Sequence, residues 1–457
     1  MLSAEEFTER MDRVGKLVEN LSARSDDPAS LAAYEVDGRR PSAALLPGSA
    51  AEIAEILRFA SAERLAVIPV GAMTHVHIGM PPQRYDLVLD VSRMNRILAY
   101  EPRDLTLGVE SGITFADLDR SLREKGQFLP LSAPFPERAT LGGIVVAGSD
   151  SPLRYAHGTA RDFLLGVEFV TGEGVLSKSG GRVVKNVTGY DLHKLLIGSL
   201  GTLAVITRLN FRTFPLPPAQ RMFVAAFADP SSPFAFCRTI AKSQLQPRVV
   251  DVFDGGAAGL FAGRGAGFLR RDCWLVVVEA AGHEAVLERH GRDLEAISRE
   301  AHAVEFIALQ DDQREQLFGC LCEFSPIAFS ATSAGTIFRI AGLPSAMPLL
   351  LPKIQKLAKR YALHCAVLVR ALGVVYVALL PPASPKSYPQ LLSCSRELMD
   401  LCVASGAIPM IERCPLELKN MLNIWPPAGT EHEIAKRLKS VFDPQGTLSP
   451  GRFRGGI

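Results

Sequence analysis

The sequence predicts an α+β protein with two principal domains. The chain has 457 residues, about three times the length of a typical domain. Helical and strand-like segments alternate from residue 40, and the prolines at 215, 217 and 218 mark the clearest boundary. Beyond that boundary, Val- and Ala-rich strands mix with helices, which favours an antiparallel sheet covered on one face.

We divide the chain into four parts on these breaks. They are an N-terminal helical segment, a first α/β domain, a second α+β domain, and a C-terminal helix with its tail, at residues 1–39, 40–218, 219–428 and 429–457. Residues 1–25 have the pattern of an amphipathic helix. No internal repeat is apparent.

Local signals predict the elements of the first domain in order. Ser49 and Glu52 form a capping-box pair before a helix, which leads into a buried strand at 66–70. Two short strands follow at 85–92 and 104–112. Thr114 caps the next helix and Gly126 ends it. A glycine-rich stretch, a strand pair, a short helix and an alternating strand complete the domain at 132–162, 164–180, 190–199 and 202–215.

The second domain has fewer local signals. Its candidate strands lie at 221–228, 273–280, 335–342, 364–372 and 373–380. Helices are predicted at about 285–302, 345–361 and 386–405, with a further helix at about 429–441.

Composition excludes several classes of function. Hydrophobic residues make up 47% of the chain and charged residues 21%, which are ordinary globular values. The net charge is +2, so nothing indicates binding to nucleic acid or to an anionic membrane. The eight cysteines are scattered through the second half without a CxxC pair. We therefore expect no metal, iron–sulfur cluster or disulfide framework.

The termini and the hydropathy pattern predict a cytoplasmic protein. The N-terminus has acidic residues where a signal peptide needs basic ones, and it lacks an apolar core. No stretch approaches 18 uninterrupted apolar residues. Hence we expect neither a secretory signal nor a transmembrane segment.

Two glycine-containing loops are candidates for phosphate binding. "PVGAMTH" at 69–75 follows a buried strand, and small residues there let backbone N–H groups approach an anion. "TLGGIVVAG" at 140–148 opens a helix-like run, whose bare start is a second anion site. Neither matches Walker A or GxGxxG. Each loop alone also fits a plain turn or close packing, but the two together predict a dinucleotide.

Four elements resemble the FAD-binding domain of the vanillyl-alcohol-oxidase/p-cresol-methylhydroxylase (PCMH) class of flavoproteins. They are "PVGAMTH", "LDVSRMNRILAYEPRDLTLGVESG", "TLGGIVVAG…GTARDFLLG" and "KNVTGYDLHKLLIGSLGTLAVITRLNFRTFP", in this order and at these spacings. The resemblance covers residues 40–215. With "FDPQGTLSPGRF" at 442–453, the chain is most similar to the FAD-binding subunits of bacterial multi-subunit glycolate oxidases.

The resemblance implies a fold and an activity. The fold would be a two-subdomain PCMH-type FAD-binding domain, followed by an α+β, ferredoxin-like cap or substrate domain, with the C-terminal tail returning to the FAD domain. The activity would be that of an FAD-dependent oxidoreductase acting on CH–OH groups.

The resemblance also implies which residues bind FAD. The first loop would wrap the pyrophosphate through main-chain amides, and the second would form the opposite wall beside the ribityl chain and flavin. A third segment would pack the adenine end. The implied set is Pro69, Val70, Gly71, Ala72, Met73, Thr74, His75, Pro134, Thr140, Gly142, Gly143, Val146, Ala147, Gly148, Gly158, Arg161, Ala204, Val205 and Ile206.

Departures from the family pattern bear on how FAD is held. Ala72 and Met73 stand where relatives commonly have glycine, which places FAD affinity in question. Some relatives attach FAD covalently through a histidine of the first loop. In register that position is Thr74, with His75 one step on, so the resemblance implies non-covalent FAD. His75 and His77 also fit neutral surface histidines.

The substrate side has fewer signals. Relatives that oxidise 2-hydroxy acids carry an H-x-G-D-G-N-x-H element whose histidines bind a metal, and none of the nine histidines here flanks Gly-Asp-Gly. Cations that could face the flavin and anchor a carboxylate are Arg339, Arg370, Lys419 and Arg452, and each also fits a solvated or strand-edge charge. Tyr376 and Trp425 fit core positions. No acid–base residue is assigned.

Three hypotheses for the function follow. The leading one is an FAD-binding subunit of a glycolate-type oxidase or dehydrogenase, passing electrons to a sister flavin subunit and an iron–sulfur subunit. Its substrate would be a small 2-hydroxy acid such as glycolate or D-lactate, and it would be at most peripheral to the inner membrane through its partners. A stand-alone FAD-linked enzyme for another alcohol or acid is the second hypothesis. A non-catalytic scaffold with weakened FAD binding is the third.

Overall fold

The computed structural model of the protein describes residues 9, 24–25, 27–182, 189–332, 334–382 and 388–457. The chain is organised as two units. The first comprises Met1–Ser149, Thr159–Pro215 and Pro427–Ile457, and the second comprises Asp150–Gly158 and Leu216–Pro426. The segment 150–158 thus belongs to the second unit, although it interrupts the sequence of the first. No sequence pattern indicated this excursion.

Strands and helices are numbered along the chain. The strands are β1 (Arg24–Ser25), β2 (Ala43–Leu45), β3 (Val67–Val70), β4 (Leu87–Asp90), β5 (Ile97–Glu101), β6 (Thr106–Glu110), β7 (Gln127–Phe128), β8 (Leu164–Thr171), β9 (Leu176–Gly180), β10 (Ala204–Arg212), β11 (Phe214–Pro215), β12 (Ala219–Phe227), β13 (Val249–Phe253), β14 (Trp274–Gly282), β15 (Glu305–Ala308), β16 (Thr336–Ala341), β17 (His364–Arg370), β18 (Val374–Leu380) and β19 (Ile408–Arg413). The α-helices are α1 (Pro28–Ala32), α2 (Ala50–Ala62), α3 (Phe115–Arg123), α4 (Leu141–Ala147), α5 (Arg154–His157), α6 (Ala160–Phe163), α7 (Ser232–Lys242), α8 (Gly255–Ala262), α9 (Glu284–Glu300), α10 (Asp311–Cys322), α11 (Phe324–Ala331), α12 (Met347–Arg360), α13 (Tyr388–Ala404), α14 (Leu416–Met421) and α15 (Glu431–Phe442).

The first unit contains two main sheets. One has the order β1-β2-β4-β3, with β2, β4 and β3 parallel and β1 antiparallel to β2. The other is antiparallel, with the order β5-β6-β10-β8-β9, and β7 pairs with β11 beside it. Apolar side chains of α2 pack under the first sheet, and those of α3 and α4 pack under the second.

The predicted capping signals of the first unit are confirmed. The Ser49 hydroxyl accepts a hydrogen bond from the Glu52 N–H at the start of α2, and Thr114 likewise caps α3. The Glu52 carboxylate reaches back to the Gly48 N–H, at 2.7 Å, rather than to the cap residue itself. The N-terminal helix predicted at 1–25 lies largely outside the described residues. Its last two residues form strand β1 instead, because they pair with β2.

The C-terminal tail adds to the edge of the first sheet. The N–H of Val67 in β3 donates to the Thr447 carbonyl at 2.7 Å, and the Ser449 N–H donates to the Val67 carbonyl at 2.9 Å. The buried Asp443 carboxylate shapes this turn, accepting hydrogen bonds from the N–H groups of Thr447 and Leu448 at 2.9 and 2.8 Å. The tail therefore lies directly beside the strand that leads into the first loop.

The second unit is built on one eight-stranded antiparallel sheet. Its order is β15-β12-β14-β13-β17-β18-β16-β19. Strands β12 to β15 with helices α7 and α9 form a βαββαβ unit, to which α8 is added between β13 and β14. Strands β16 to β19 with α12 and α13 form another with the mirrored order. The two ferredoxin-like repeats join where β13 pairs with β17. The expectation of no internal repeat is therefore wrong at the level of structure.

Five strands of this sheet match the sequence prediction, and three do not. The predicted strands correspond to β12, β14, β16, β17 and β18. The prediction misses β13, which an aspartate interrupts, β15, which is partly exposed, and β19, which contains Pro409. Helices α7, α8, α10, α11 and α14 are also missed. Residues 183–188, which include "KNVT" of the family pattern, lie outside the described residues.

Replacing Asp443 by Asn should destabilise the first unit. The change removes the charge that pairs with Lys439 Nζ at 2.6 Å and leaves this largely buried ammonium group without its counter-ion. The free energy of unfolding, measured in urea, is expected to fall by about 3 kcal/mol. Glu433→Gln is the control, because the Glu433–Lys436 pair lies exposed on the same helix. Its effect should stay below about 0.5 kcal/mol, and equal losses in the two variants would contradict the assignment.

Candidate functional site

A cavity lies in the first unit beyond the end of β3. Its empty volume is about 780 Å³, part of which is open to solvent. All of its lining residues belong to the first unit. Most residues predicted to bind FAD line it: Pro69, Val70, Gly71, Ala72, Met73, Thr74, His75, Thr140, Gly142, Gly143, Val146, Ala147, Ala204, Val205 and Ile206.

The remaining predicted residues are not among those lining the cavity. Pro134 is half-buried, and Gly148 ends α4 in the left-handed region with φ 60°. Gly158 belongs to the second unit, and Arg161 is exposed on α6.

Several cavity residues were not included in the predicted set. Ser111, Leu200, Gly201 and Arg452 all contribute to the wall. Ser111 is the penultimate residue of one of the four family-like elements and Arg452 lies in the tail pattern, so both carried a family signal. The Ser111 Oγ is buried and has no hydrogen-bond partner in the described part of the chain. A bound ligand would supply that partner.

The loop after β3, residues 71–79, is here called the β3 loop. Its N–H groups at Gly71, Ala72, Met73 and Thr74 find no acceptor within the described residues. On its carbonyl side, Arg138 Nη2 donates to the Ala72 oxygen at 3.3 Å. Consecutive open amides form an anion-binding nest, and a diphosphate is the anion that a dinucleotide cofactor offers.

Arg452 binds the carbonyl side of the same loop. Its Nη2 donates to the Val76 and Ile78 oxygens, each at 2.5 Å. The guanidinium is 3% exposed, so the expectation of a solvated charge is wrong here. Burial lowers the pKa of Arg452, while the nearby Asp37 and Tyr85 act in the opposite direction.

Glycines bring the walls of the cavity close together. A Cβ on Gly71 would lie 2.2 Å from the Thr140 Oγ1, and a Cβ on Gly142 would lie 2.9 Å from the Ser111 Cβ. Neither position leaves room for a larger residue. The β3 loop can therefore lie directly against the start of α4.

The start of α4 does not present bare amides. The Leu141 and Gly142 N–H groups donate to the Ile113 and Ser111 carbonyls at 2.9 and 2.7 Å, and the Gly143 N–H points to its cap Thr140. The interpretation of this helix start as a free anion site is therefore wrong. Its glycines serve close packing instead, and the open amides lie in the β3 loop.

His75 is held by two hydroxyl groups. Its Nδ1 lies 3.0 Å from the Thr74 Oγ1, and its Nε2 lies 2.8 Å from the Ser149 Oγ. Both ring nitrogens thus have a partner within the first unit. His75 is therefore not a simple surface histidine, because it lines the cavity.

A row of polar side chains crosses the sheet of the second unit. In register, Asp251 of β13 lies opposite Arg370 of β17, and Tyr376 of β18 lies opposite Arg339 of β16. Arg370 Nε is 3.4 Å from Asp251 Oδ2, and the Arg370 guanidinium lies 5.4 Å from the Tyr376 ring centre. Arg339 is 4.0 Å from Glu412 of β19. The row therefore spans five neighbouring strands.

Burial dominates the electrostatics of this row. It raises the pKa of Asp251 to about 6, although the Arg370 charge acts against the shift. It also raises the pKa of Tyr376, and the Asp150 carboxylate adds to that effect. Arg370 is 3% exposed and Lys419 is 2% exposed, so neither is the solvated charge that the sequence allowed. Tyr376 packs against arginine as well as against the core.

The described residues contain no group of three or more His, Cys, Asp or Glu side chains that could hold a metal ion. None of the helices in the described ranges is both long and apolar enough to cross a membrane.

The first unit carries a cavity with an open-amide loop, a feature suited to the phosphates of a nucleotide cofactor, and the second unit carries a ferredoxin-like sheet. Comparison with known proteins identifies the class of protein. Residues 41–180 match the family model "FAD binding domain", and residues 216–406 match "FAD linked oxidases, C-terminal domain". The two models together cover most of the chain, which therefore belongs to the FAD-linked oxidases. It is an FAD-dependent oxidoreductase, and FAD is its cofactor.

Relatives span nearly the whole chain. The glycolate oxidase subunit GlcD of Bacillus subtilis strain 168 is 26% identical over 90% of this chain and 89% of its own length. A D-2-hydroxyglutarate dehydrogenase of Xanthomonas citri pv. viticola is 29% identical over 93% of each chain. Among solved structures, p-cresol methylhydroxylase with bound substrate matches with a TM-score of 0.80 and 16% identity, covering 99% of this chain and 97% of the other. That likeness supports the fold alone.

Replacing Gly71 by Ala should destabilise the cavity wall through Thr140. The new methyl group overlaps the Thr140 hydroxyl, so the free energy of unfolding should fall by about 2 kcal/mol. In a Thr140→Ala background, where the overlapping atoms are gone, the cost of Gly71→Ala should shrink by about 1 kcal/mol. Gly181→Ala is the control, since nothing lies within 4 Å of its added carbon. A cost of Gly71→Ala that is unchanged by the Thr140 substitution would argue against this contact.

The raised pKa of Asp251 predicts a pH-dependent stability. With a folded pKa of about 6, above the value of 3.8 for a free aspartate, the folded state holds its proton more tightly than the unfolded state. The stabilisation is complete below about pH 4 and is lost as the pH rises through 6. Relative to Asp251→Asn, the wild type should lose about 2 to 3 kcal/mol of unfolding free energy between pH 4 and 7. A difference that does not vary with pH in urea titrations would refute this assignment.

Proposed function

We propose that this protein oxidises a small 2-hydroxy acid, of the glycolate or D-lactate type, to the corresponding 2-oxo acid. The observation that carries the proposal is a pair of arginines, the half-buried Arg339 and the buried Arg370, in the second unit of an FAD-linked oxidase. Two relatives that span the chain carry the names of enzymes for hydroxy acids, glycolate and D-2-hydroxyglutarate.

Arg370 is the proposed anchor for the substrate carboxylate. Its Nε faces Asp251 and its Nη2 donates to the Leu321 carbonyl, while Nη1 has no acceptor among the residues that the structure describes. A planar guanidinium with an open N–H is suited to a carboxylate oxygen. Arg339, across the Tyr376 ring, supplies a second positive charge for the same anion.

FAD is proposed to bind non-covalently in the cavity of the first unit. When bound, it supplies the acceptor for the two electrons that leave the hydroxyl-bearing carbon. The β3 loop amides would hold its diphosphate, and the Ser111 hydroxyl would gain a partner. The family resemblance implies that Thr74 stands where covalent relatives have the attachment histidine. Non-covalent binding is also supported by His75, whose ring nitrogens are engaged by Thr74 and Ser149.

Within this proposal the chain acts as one subunit of a larger oxidase or dehydrogenase. One relative is itself named a subunit of glycolate oxidase. Electrons would pass to partner subunits, a sister flavoprotein and an iron–sulfur protein, in a cytoplasmic complex that reaches the inner membrane only through its partners. A stand-alone dehydrogenase is the second candidate, and it is favoured by the match to D-2-hydroxyglutarate dehydrogenase over 93% of each chain.

Anaerobic titration of the purified, FAD-loaded protein with glycolate, D-lactate and D-2-hydroxyglutarate tests the function. Loss of the flavin absorbance on adding one of these acids to the single chain is expected for a complete catalyst. Loss only after the partner subunits are added indicates the complex. Flavin that none of these acids reduces under either condition would overturn the substrate class, and failure to retain FAD would overturn the cofactor site.

Arg370→Met should weaken the binding of the hydroxy acid without releasing FAD. Losing the proposed anchor is expected to raise the concentration of hydroxy acid for half-maximal flavin reduction by about 100-fold, because a charged hydrogen bond contributes about 2 to 3 kcal/mol. The FAD content should match the wild type. Arg289→Met, an exposed arginine of α9, is the matched control and should change neither value. An unchanged concentration in Arg370→Met would remove this residue from the site.

A further inference from the structure

We propose that Arg452 is a positioning residue for FAD. By binding the carbonyl oxygens of the β3 loop, it holds the loop in the form whose amides are open to the diphosphate. FAD binding and docking of the C-terminal tail are then coupled. The inference rests on the proposed FAD cavity and is independent of the substrate.

The contacts of Arg452 are directed at the loop. The side chain reaches Val76 and Ile78, and its own carbonyl accepts the Met80 N–H at 2.9 Å. Gly79 permits this approach, because a Cβ there would lie 3.0 Å from the Arg452 carbonyl oxygen. The arginine thus binds the end of the loop through both its side chain and its backbone.

The tail delivers Arg452 to this place by its pairing with β3. Ser449 is bound to Val67, and the Gln83 N–H donates to the Pro450 carbonyl at 2.9 Å. Gly451, with φ 84°, turns the chain between these contacts and Arg452. A tail that leaves β3 would therefore withdraw the arginine from the loop.

The hydrogen bonds that Arg452 makes to the carbonyl oxygens of the β3 loop determine which of the loop's backbone groups face a ligand. A loop released from Arg452 could turn its carbonyl oxygens toward the cavity, and those oxygens repel phosphate. With the arginine in place, the open N–H groups at Gly71 to Thr74 remain, and the guanidinium adds positive potential near them. The negative charge of a bound diphosphate would in turn favour the buried cation. By thermodynamic linkage, FAD binding stabilises the docked tail and the docked tail strengthens FAD binding.

Arg452→Met tests the inference against a matched tail variant. Arg454→Met also removes a tail arginine, one bonded to the Pro427 carbonyl and paired with Glu431, and neither partner belongs to the β3 loop or to the pairing of the tail with β3. Using the apo full-length chain, we expect FAD binding by Arg452→Met to weaken about 30-fold or more. Arg454→Met should change the dissociation constant of FAD less than about threefold, even where it lowers the melting temperature equally.

Competition by ADP and adenosine separates positioning from general stability. If Arg452 sets the phosphate-binding loop, Arg452→Met loses ADP affinity and keeps adenosine affinity within about threefold of wild type. Parallel losses for both ligands would make the residue merely structural and overturn the inference, as would unchanged FAD binding. Arg452→Lys, which keeps the charge with a different donor geometry, should be intermediate. If the methionine variant does not fold, Arg452→Lys is used for the same comparison of ADP and adenosine affinities.

Hydrogen exchange provides the reciprocal measurement. FAD should slow exchange at the tail amides of Thr447, Leu448 and Ser449 in the wild type and have no such effect in Arg452→Met. Equal slowing in both proteins would contradict the coupling. A wild-type chain that does not bind FAD at all would instead refute the proposed cofactor site, so the two failures are distinguishable.

Discussion

The engaged carbonyl groups of the β3 loop are the constraint on which the cofactor site depends. A loop after a strand exposes both N–H and C=O groups, and a diphosphate is attracted by the first and repelled by the second. Arg138 and Arg452 bind carbonyl oxygens of this loop from two different parts of the chain. The N–H groups of Gly71 to Thr74 remain open as donors on the same loop. The pairing of the tail with β3 is what brings one of these two arginines into place.

The same loop also shows how the chain holds a non-glycine residue, Met73, in a turn that favours glycine. Met73 has φ 60°, a left-handed conformation that costs a non-glycine residue roughly 1 to 2 kcal/mol. Its side chain packs against the apolar cluster that contains Val70 and Tyr85, and this burial offsets the strain. The turn is therefore kept with a different residue. Gly71 has no such substitute, because its neighbour is the Thr140 hydroxyl.

In the second unit, the buried polar row is not explained by stability. Asp251 and Arg370 meet at the seam between the two ferredoxin-like repeats, where apolar residues would pack at no electrostatic cost. Burial is severe enough to raise the pKa of Asp251 to about 6 beside a guanidinium. Ionisable groups whose pKa values are shifted by burial are common in binding and catalytic sites. An anionic substrate is the ligand that would best complement the open Nη1 of Arg370.

Local signals were sufficient for some parts of this molecule and not for others. Ser49 and Thr114 predict their helices because a cap acts on N–H groups two or three residues away. Arg452 acts on an oxygen 374 residues away, which no local pattern reports. Strand β13 escaped prediction because Asp251 breaks its apolar run, and this aspartate faces the proposed substrate anchor. A charge buried for binding disturbs the same pattern from which strands are recognised, so the prediction fails where the proposed substrate site begins.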